Sequence, residues 1–457
     1  MKSKSILALI ITSVMLPLRL TAQKQQPQAC TVKAGDYFGW KAQRVSNRWV
    51  TLTFLPQLGG RLMQLEFAGH SYLFVNPKYR GKYIPPEEAH GKWINYGGDK
   101  IWPMPEGEND ENHWVLQSSA LDDGIANFEI LSQGKECSVR LTGQPDVNTG
   151  MRIIRTITLG ASTPEVHFHA VMENIASHPI TWSIQSVSQY DLVSHDKPGD
   201  FNHDLWAFTP RNLSSNFPDG FHVRYGLAQD PAFSIDDDLF RLHWTRFANE
   251  VWLDSQAGWL AVVDKSSSYG MVETFHVDPK AEYPGKTTVI FYKNGPTVNF
   301  DSTGATSISS TDTAETPYYM EAEINSPMAT LQPGETFAFD TTWHPVSLSQ
   351  QPRNVATAGV IAAPLTLVRE GGTVRLKGKL SVFAPGQLVA VVFNRGGVRI
   401  AEHRLNDVDP SKAVTLDTPI PLDEHASRIS IALKGEQGQD LGILSTALLA
   451  KEEPTPP

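Results

Sequence analysis

From residue 31 almost to its end the chain is written in short runs of Val, Ile, Thr, Phe, Tyr and Trp, each cut off by Gly, Pro, Asn or Asp. Such runs are strands and turns, because β-branched and aromatic side chains suit a pleated surface while Gly and Pro interrupt it. In RWVTLTFLP, Val50, Leu52 and Phe54 fall on one face and Thr51 and Thr53 on the other, until Pro56 and Gly59-Gly60 stop the run. The same two-residue period recurs in 153–159, 166–172, 181–187 and 319–324. Long apolar stretches of helical period are nearly absent. The chain is therefore expected to be all-β.

At 457 residues with 40% apolar composition it has material for two or three domains. TFAFDTTW, 336–343, reads as the last strand of a large unit, and HPVSLSQQPRNVATAG after it reads as a linker. Beyond lie four strand patterns, GTVRLKGKLSV, QLVAVVFN, RIAEHRL and RISIALKG, in about 100 residues, the rhythm of a small immunoglobulin-like β-sandwich. The expected division is a signal peptide over 1–22, a large unit over 30–350, a small β-sandwich over 351–450 and an exposed tail over 451–457. The large unit exceeds a sandwich of seven or eight strands. It calls for two larger antiparallel sheets packed face to face.

The first residues combine Lys2 and Lys4, an apolar run over 6–16 and a small-residue site at Leu20-Thr21-Ala22, the pattern of a cleaved leader. The run is short for a bilayer and Pro17 and Arg19 interrupt it, so a periplasmic or secreted protein without a stable membrane span is expected. Removing the leader takes away Lys2, Lys4 and Arg19, which moves the formal charge from −10 to about −13. Such a chain, with no basic cluster, is not a nucleic-acid binder. Two cysteines, Cys30 and Cys137, exclude a cysteine zinc site and a dense disulfide scaffold. They either pair, tying the N-terminus to the large unit, or remain two thiols.

Three stretches carry a resemblance: PQLGGRLMQLEFAGHSYLFVNPKY, NYGGDKIWPMPEG and YYMEAEINSPMATLQPGETFAFDTTW. Taken in order over about 300 residues, they resemble the galactose-mutarotase-like superfamily, and within it an uncharacterised bacterial family with a GGD/GGE loop followed by tryptophan. The resemblance implies a supersandwich of two large twisted antiparallel sheets with a carbohydrate site on the concave face. It also implies a glutamate that takes the anomeric hydroxyl proton and a histidine that protonates the ring oxygen. MEAEINSP puts Glu321 at the base position, with Glu323 one pleat further along the same face. Two such carboxylates raise each other's proton affinity when partly desolvated, which suits a base working near neutral pH. An outer edge strand would show the same pair. The chain departs from the pattern at the histidine, where HPITWSIQSVSQYD has Gln185. Glutamine can hold a hydroxyl but cannot deliver a proton.

In the NYGGDKIWPMPEG loop, Trp102 is expected as an aromatic platform and Asn95, Asp99 and Lys100 as hydroxyl ligands, with Gly97-Gly98 letting the backbone approach a ligand. The bland alternative is a tight turn with Trp102 in the core. Arg61 is either a further hydroxyl ligand or a hairpin charge. Asp99, Lys100 and His113 are the candidates for the missing acid. His167 and His169 share a strand face but lack a third ligand, and the acidic stretches 106–112 and 234–240 lack calcium-loop spacing, so neither metal nor cofactor is expected. No G-x-S-x-G, P-loop or H-E-x-x-H motif occurs. Two functions follow: an exported carbohydrate-binding protein with a mutarotase-like cleft, or an active aldose 1-epimerase-like isomerase with Glu321 as general base.

Overall fold

The computed structural model describes residues 29–107, 112–194, 197, 200–245, 247–300, 306–309, 317–370, 372–421 and 423–449. The expected leader, residues 108–111 of the acidic stretch and the tail 451–457 lie outside the described residues.

The fold is all-β, as the alternation requires, and every paired strand runs antiparallel to its neighbours. One sheet has twelve strands. It opens at Thr31–Tyr37, passes through Trp40–Ser46 and Val50–Leu55, and continues into the strands that matter for function: β1 (Arg61–Phe67), β2 (Asp99–Met104), β3 (Ile180–Asp191), β4 (His222–Tyr225), β5 (Asn249–Leu253), β6 (Val289–Lys293) and β7 (Tyr319–Asn325). Their order across the sheet is β1-β2-β3-β7-β6-β5-β4. The second sheet has ten strands and runs from Phe233–Asp236 at one edge to Asn127–Ser132 at the other.

Between the two sheets lies one apolar interior. Phe54, Leu65, Ile184, Ala322 and Ile324 enter it from the first sheet, and Val139, Ile157, Phe168 and Trp343 from the second. Each fully buried Val, Leu, Ile or Phe side chain contributes roughly 1.5–3 kcal/mol, so this layer is what holds the sheets together. Two polar contacts also bridge the layer. Asp99 of β2 pairs with Arg155 of Met151–Gly160. Tyr190 of β3 donates to Glu273 of Tyr269–Phe275, whose carboxyl burial pushes up to about 8.

The stretch expected to be a loop after Gly97-Gly98 is strand β2. Pro103 and two adjacent charges disguised it. β1 meets β2 only at Leu62 and Asp99, so further along β2 that edge carries no strand and a proline without an N–H is tolerated there. The last strand of the second sheet, expected over 336–343, runs on to Ser347. Val346 is drawn into a second apolar cluster with Val360 and Phe383, and His344 stacks on Phe383 at 4.0 Å. That cluster joins the second sheet to two four-stranded sheets built from Asn354–Ala356 onward, which close over their own core of Leu376, Val392, Ile431 and others. Cys30 and Cys137 form a disulfide.

Candidate functional site

Residues directly opposite one another in an antiparallel ladder project to the same face. Gln185 of β3 lies opposite Trp102 of β2, and Gln189 opposite Glu321 of β7. Glu321 lies opposite Tyr292 of β6, Tyr292 opposite Glu250 of β5, and Glu250 opposite Tyr225 of β4. These registers bring side chains of six strands, β2 to β7, onto the face away from the inter-sheet core. A cleft of about 420 Å³ opens there.

Its aromatic walls are Trp93, Trp102, Trp252, Tyr225, Tyr292 and Tyr319. Its acidic groups are Glu106, Glu250, Glu321 and Glu323, with Gln185 and Arg224 also exposed to the space. Glu321, Gln185 and Trp102, which sequence motifs place far apart in the chain, thus line one cleft.

Two glutamines of β3 hold the two glutamates of β7. Gln189 Nε2 donates to Glu321 Oε1 at 2.7 Å, and Gln185 Nε2 donates to Glu323 Oε2 at 2.5 Å. Glu321 and Glu323 are only 5% and 6% exposed. Burial raises the proton affinity of both carboxyls, and for Glu323 the nearby Glu321 charge raises it further. Burial also raises Glu250, against a hydrogen bond from Trp252 Nε1 that lowers it. Glu106 stands at the open rim, where the surrounding protein and then the charges of Glu250 and Glu321 push it up to about 7, an effect its solvent exposure screens.

Lys100 points to the same side of β2 as Trp102 but sits behind the wall. Its Nζ is 3.9 Å from the Trp102 ring centre and 4.7 Å from that of Trp93, and among the described residues it has no hydrogen-bond partner. Burial, followed by the charge of Arg61, lowers it to about 8. The Trp102 indole is fixed by its Nε1 donating to Asp122 Oδ1 at 2.8 Å.

Like Lys100, three further residues expected as hydroxyl ligands do not reach the cleft. Asp99 is one residue from Lys100 in a strand, so it faces the opposite way, into the interior, where Arg155 takes it. Arg61 is fully buried and lies 3.0 Å from Asp122 and 2.9 Å from Asp123. It anchors the single helical turn Ala120–Asp123 that in turn holds Trp102. Asn95 accepts from the Gly97 amide at 3.1 Å and shapes its own turn. Gly97 and Gly98 serve backbone packing, since a Cβ on them would sit 2.1 Å from the Phe74 carbonyl oxygen and 2.7 Å from that of Leu62. His113 packs against Gly107 at the rim.

His167 and His169 lie on the exposed face of the second sheet, bound to Glu165 and Asp340. Among the described residues no group of three or more His, Cys, Asp or Glu is placed to hold a metal ion, and no helix is long and apolar enough to cross a membrane.

Sequence reasoning missed Trp93, Glu250, Trp252, Tyr225, Tyr292 and Tyr319, and treated Glu106 only as part of an acidic turn. The alternation in NEVWL, with Glu250 and Trp252 on one face and Val251 and Leu253 on the other, was a usable signal. Tyr292 and Tyr319 offered none without the register.

No protein-family model matches the chain, and no curated protein matches it. Solved structures that it resembles include a TPR-domain containing protein from Parabacteroides distasonis, at 13% identity and a TM-score of 0.42, covering 67% of this chain and 47% of that one. The chain thus spans less than half the length of that protein. A proposed aldose 1-epimerase from Klebsiella pneumoniae matches at 14% identity and a TM-score of 0.43, over 68% of this chain and 80% of the other. A galactose mutarotase-like protein from Lactobacillus casei matches at 10% identity and a TM-score of 0.43, over 66% and 99%. Others among the solved structures it resembles are likewise described as galactose mutarotase-like proteins or aldose 1-epimerases.

Proposed function

We propose that this chain is an exported carbohydrate-binding protein whose mutarotase-like cleft holds a free sugar or the end of a polysaccharide. The observation that carries the reading is the row formed by Trp102, Gln185, Glu321 and Glu323 with Trp252 and Tyr292 in one cleft of about 420 Å³. That volume suits a small ligand. Flat indole and phenol faces pack against the C–H faces of a pyranose, and carboxylates and amides accept from its hydroxyls in fixed directions. Gln185 Oε1 is buried without a partner among the described residues, an acceptor that a sugar hydroxyl would satisfy.

The second reading, an active aldose 1-epimerase-like isomerase, is favoured by Glu321 and Glu106 sharing the cleft. Glu321 with its raised proton affinity acts as the base toward the anomeric hydroxyl. Glu106, whose proton affinity the surrounding protein and then the neighbouring carboxylates raise, stands as the proton donor in place of the family histidine that Gln185 replaces. An extracytoplasmic location belongs to the same proposal and is supported by the Cys30–Cys137 disulfide, which oxidising compartments preserve.

Anomer-exchange NMR on a panel of aldoses, with Glu321→Gln as control, separates the readings. Binding with no rate enhancement removes the isomerase. Exchange that the substitution abolishes makes it an enzyme, and no binding by any sugar overturns both.

A further inference from the structure

The charges around the cleft do not balance. Behind its wall, Lys100 and Arg61 are matched by Asp122 and Asp123, so that group adds no net formal charge. Within the cleft, Glu106, Glu250, Glu321 and Glu323 face one cation among the described residues, Arg224. Arg224 is exposed on β4 and its guanidinium lies 5.9 Å from the centre of the Trp252 ring, so solvent screens much of its charge. Glu323 is buried beside Glu321, and each carboxylate there disfavours ionisation of the other.

A second observation points to the kind of ligand. Gln185 is 1% exposed, lines the cleft and spends its amide N–H₂ on Glu323, which leaves Oε1 as a buried acceptor with no donor among the described residues. The adjoining walls of Trp93, Trp252 and Tyr292 offer electron-rich faces, which attract cations. An acceptor without a donor, uncompensated carboxylates and aromatic faces together ask for a group with several N–H donors and a positive charge. A primary ammonium has three donors and no acceptor.

We infer that the cleft selects sugars bearing a protonated amine over their neutral and acidic counterparts. The inference rests on the sugar-cleft reading and names the substrate class. The ammonium lies against Gln185 Oε1 and the glutamate carboxylates, and its charge offsets their mutual repulsion. A neutral hydroxyl at the same place makes hydrogen bonds but leaves the repulsion intact. A uronic acid adds to it. An N-acetylated amine loses both the charge and two donors.

The test is isothermal titration of the full chain at neutral pH and fixed ionic strength. The ligands are glucosamine and galactosamine, the parent hexoses, the N-acetyl derivatives and the uronic acids. The amino sugars are expected to bind at least about tenfold tighter than their parents, equivalent to about 1.4 kcal/mol, with the uronic acids weakest. In Glu250→Gln the ratio of amine to parent affinity is expected to fall by several-fold, with the circular dichroism spectrum unchanged. Parents binding as tightly as amines, uronic acids binding more tightly, or a ratio unmoved by Glu250→Gln overturns the inference while the sugar cleft stands. Silence from every ligand overturns both.

Discussion

Replacing Asp99 with alanine removes the only acid that, among the described residues, hydrogen-bonds Arg155 across the inter-sheet layer. The Asp99 side chain is 0% exposed and that of Arg155 7%, and Arg155 Nε already lacks a partner. The guanidinium would then be left buried with no counter-charge. Breaking a buried pair from one side costs about 3–5 kcal/mol. A midpoint shift of roughly 2 °C per kcal/mol in a unit this large converts that loss to a drop on the order of 5–10 °C. The double variant Asp99→Leu, Arg155→Met should recover most of it, because apolar replacement of a whole buried pair is often neutral. The assay is thermal and urea unfolding of both variants, followed by sugar titration of the protein that remains folded. Sugar affinity should stay within a factor of about two, since Asp99 faces away from the cleft. Unchanged stability with lost sugar binding would refute this reasoning and return Asp99 to the site.

Other expectations follow from the same geometry. Glu321 and Glu323 hold protons more tightly in the folded chain than in the unfolded one, so their contribution to stability is fully present below the ordinary glutamate range and is lost as pH rises through their raised values. Glu323→Gln should therefore melt higher than the parent at pH 8 and alike at pH 4; each tenfold change in proton affinity is worth about 1.4 kcal/mol, and a pH-independent gap contradicts it. Gly97→Ala should cost about 2 kcal/mol or more in urea unfolding, since φ is 98° and the new Cβ meets the Phe74 carbonyl. Reducing the Cys30–Cys137 bond, which closes a loop with a sequence separation of 107, should cost about 2–5 kcal/mol; equal midpoints with and without dithiothreitol would speak against it.

Strand alternation was enough to read the fold class, because a half-buried strand prints its two faces directly into the sequence. It also put Glu321 and Glu323 on one face and Gln185 within a strand. Where proline and paired charges masked the period, as in β2, the segment was read as a loop and its opposite-facing neighbours Asp99 and Lys100 were assigned together to the cleft. The same blindness took Arg61 for a surface or site residue, when Asp122 and Asp123, about sixty residues later, bury it. Glu250 and Tyr292 escaped for another reason. Local alternation in NEVWL marks the face of Glu250, but which face of the sheet meets the site is fixed by cross-strand register between segments about forty residues apart, and that register is set by the packed sheet.

Soaking a crystal of the protein with a saturating aldose, or with an amino sugar if that binds more tightly, tests the central claim most directly. A pyranose is expected in the cleft, its ring against Trp102, Trp252 or Tyr292 and its polar groups on Gln185 Oε1, Glu321 and Glu323. A sugar seated on any other face, with the cleft empty, would contradict it.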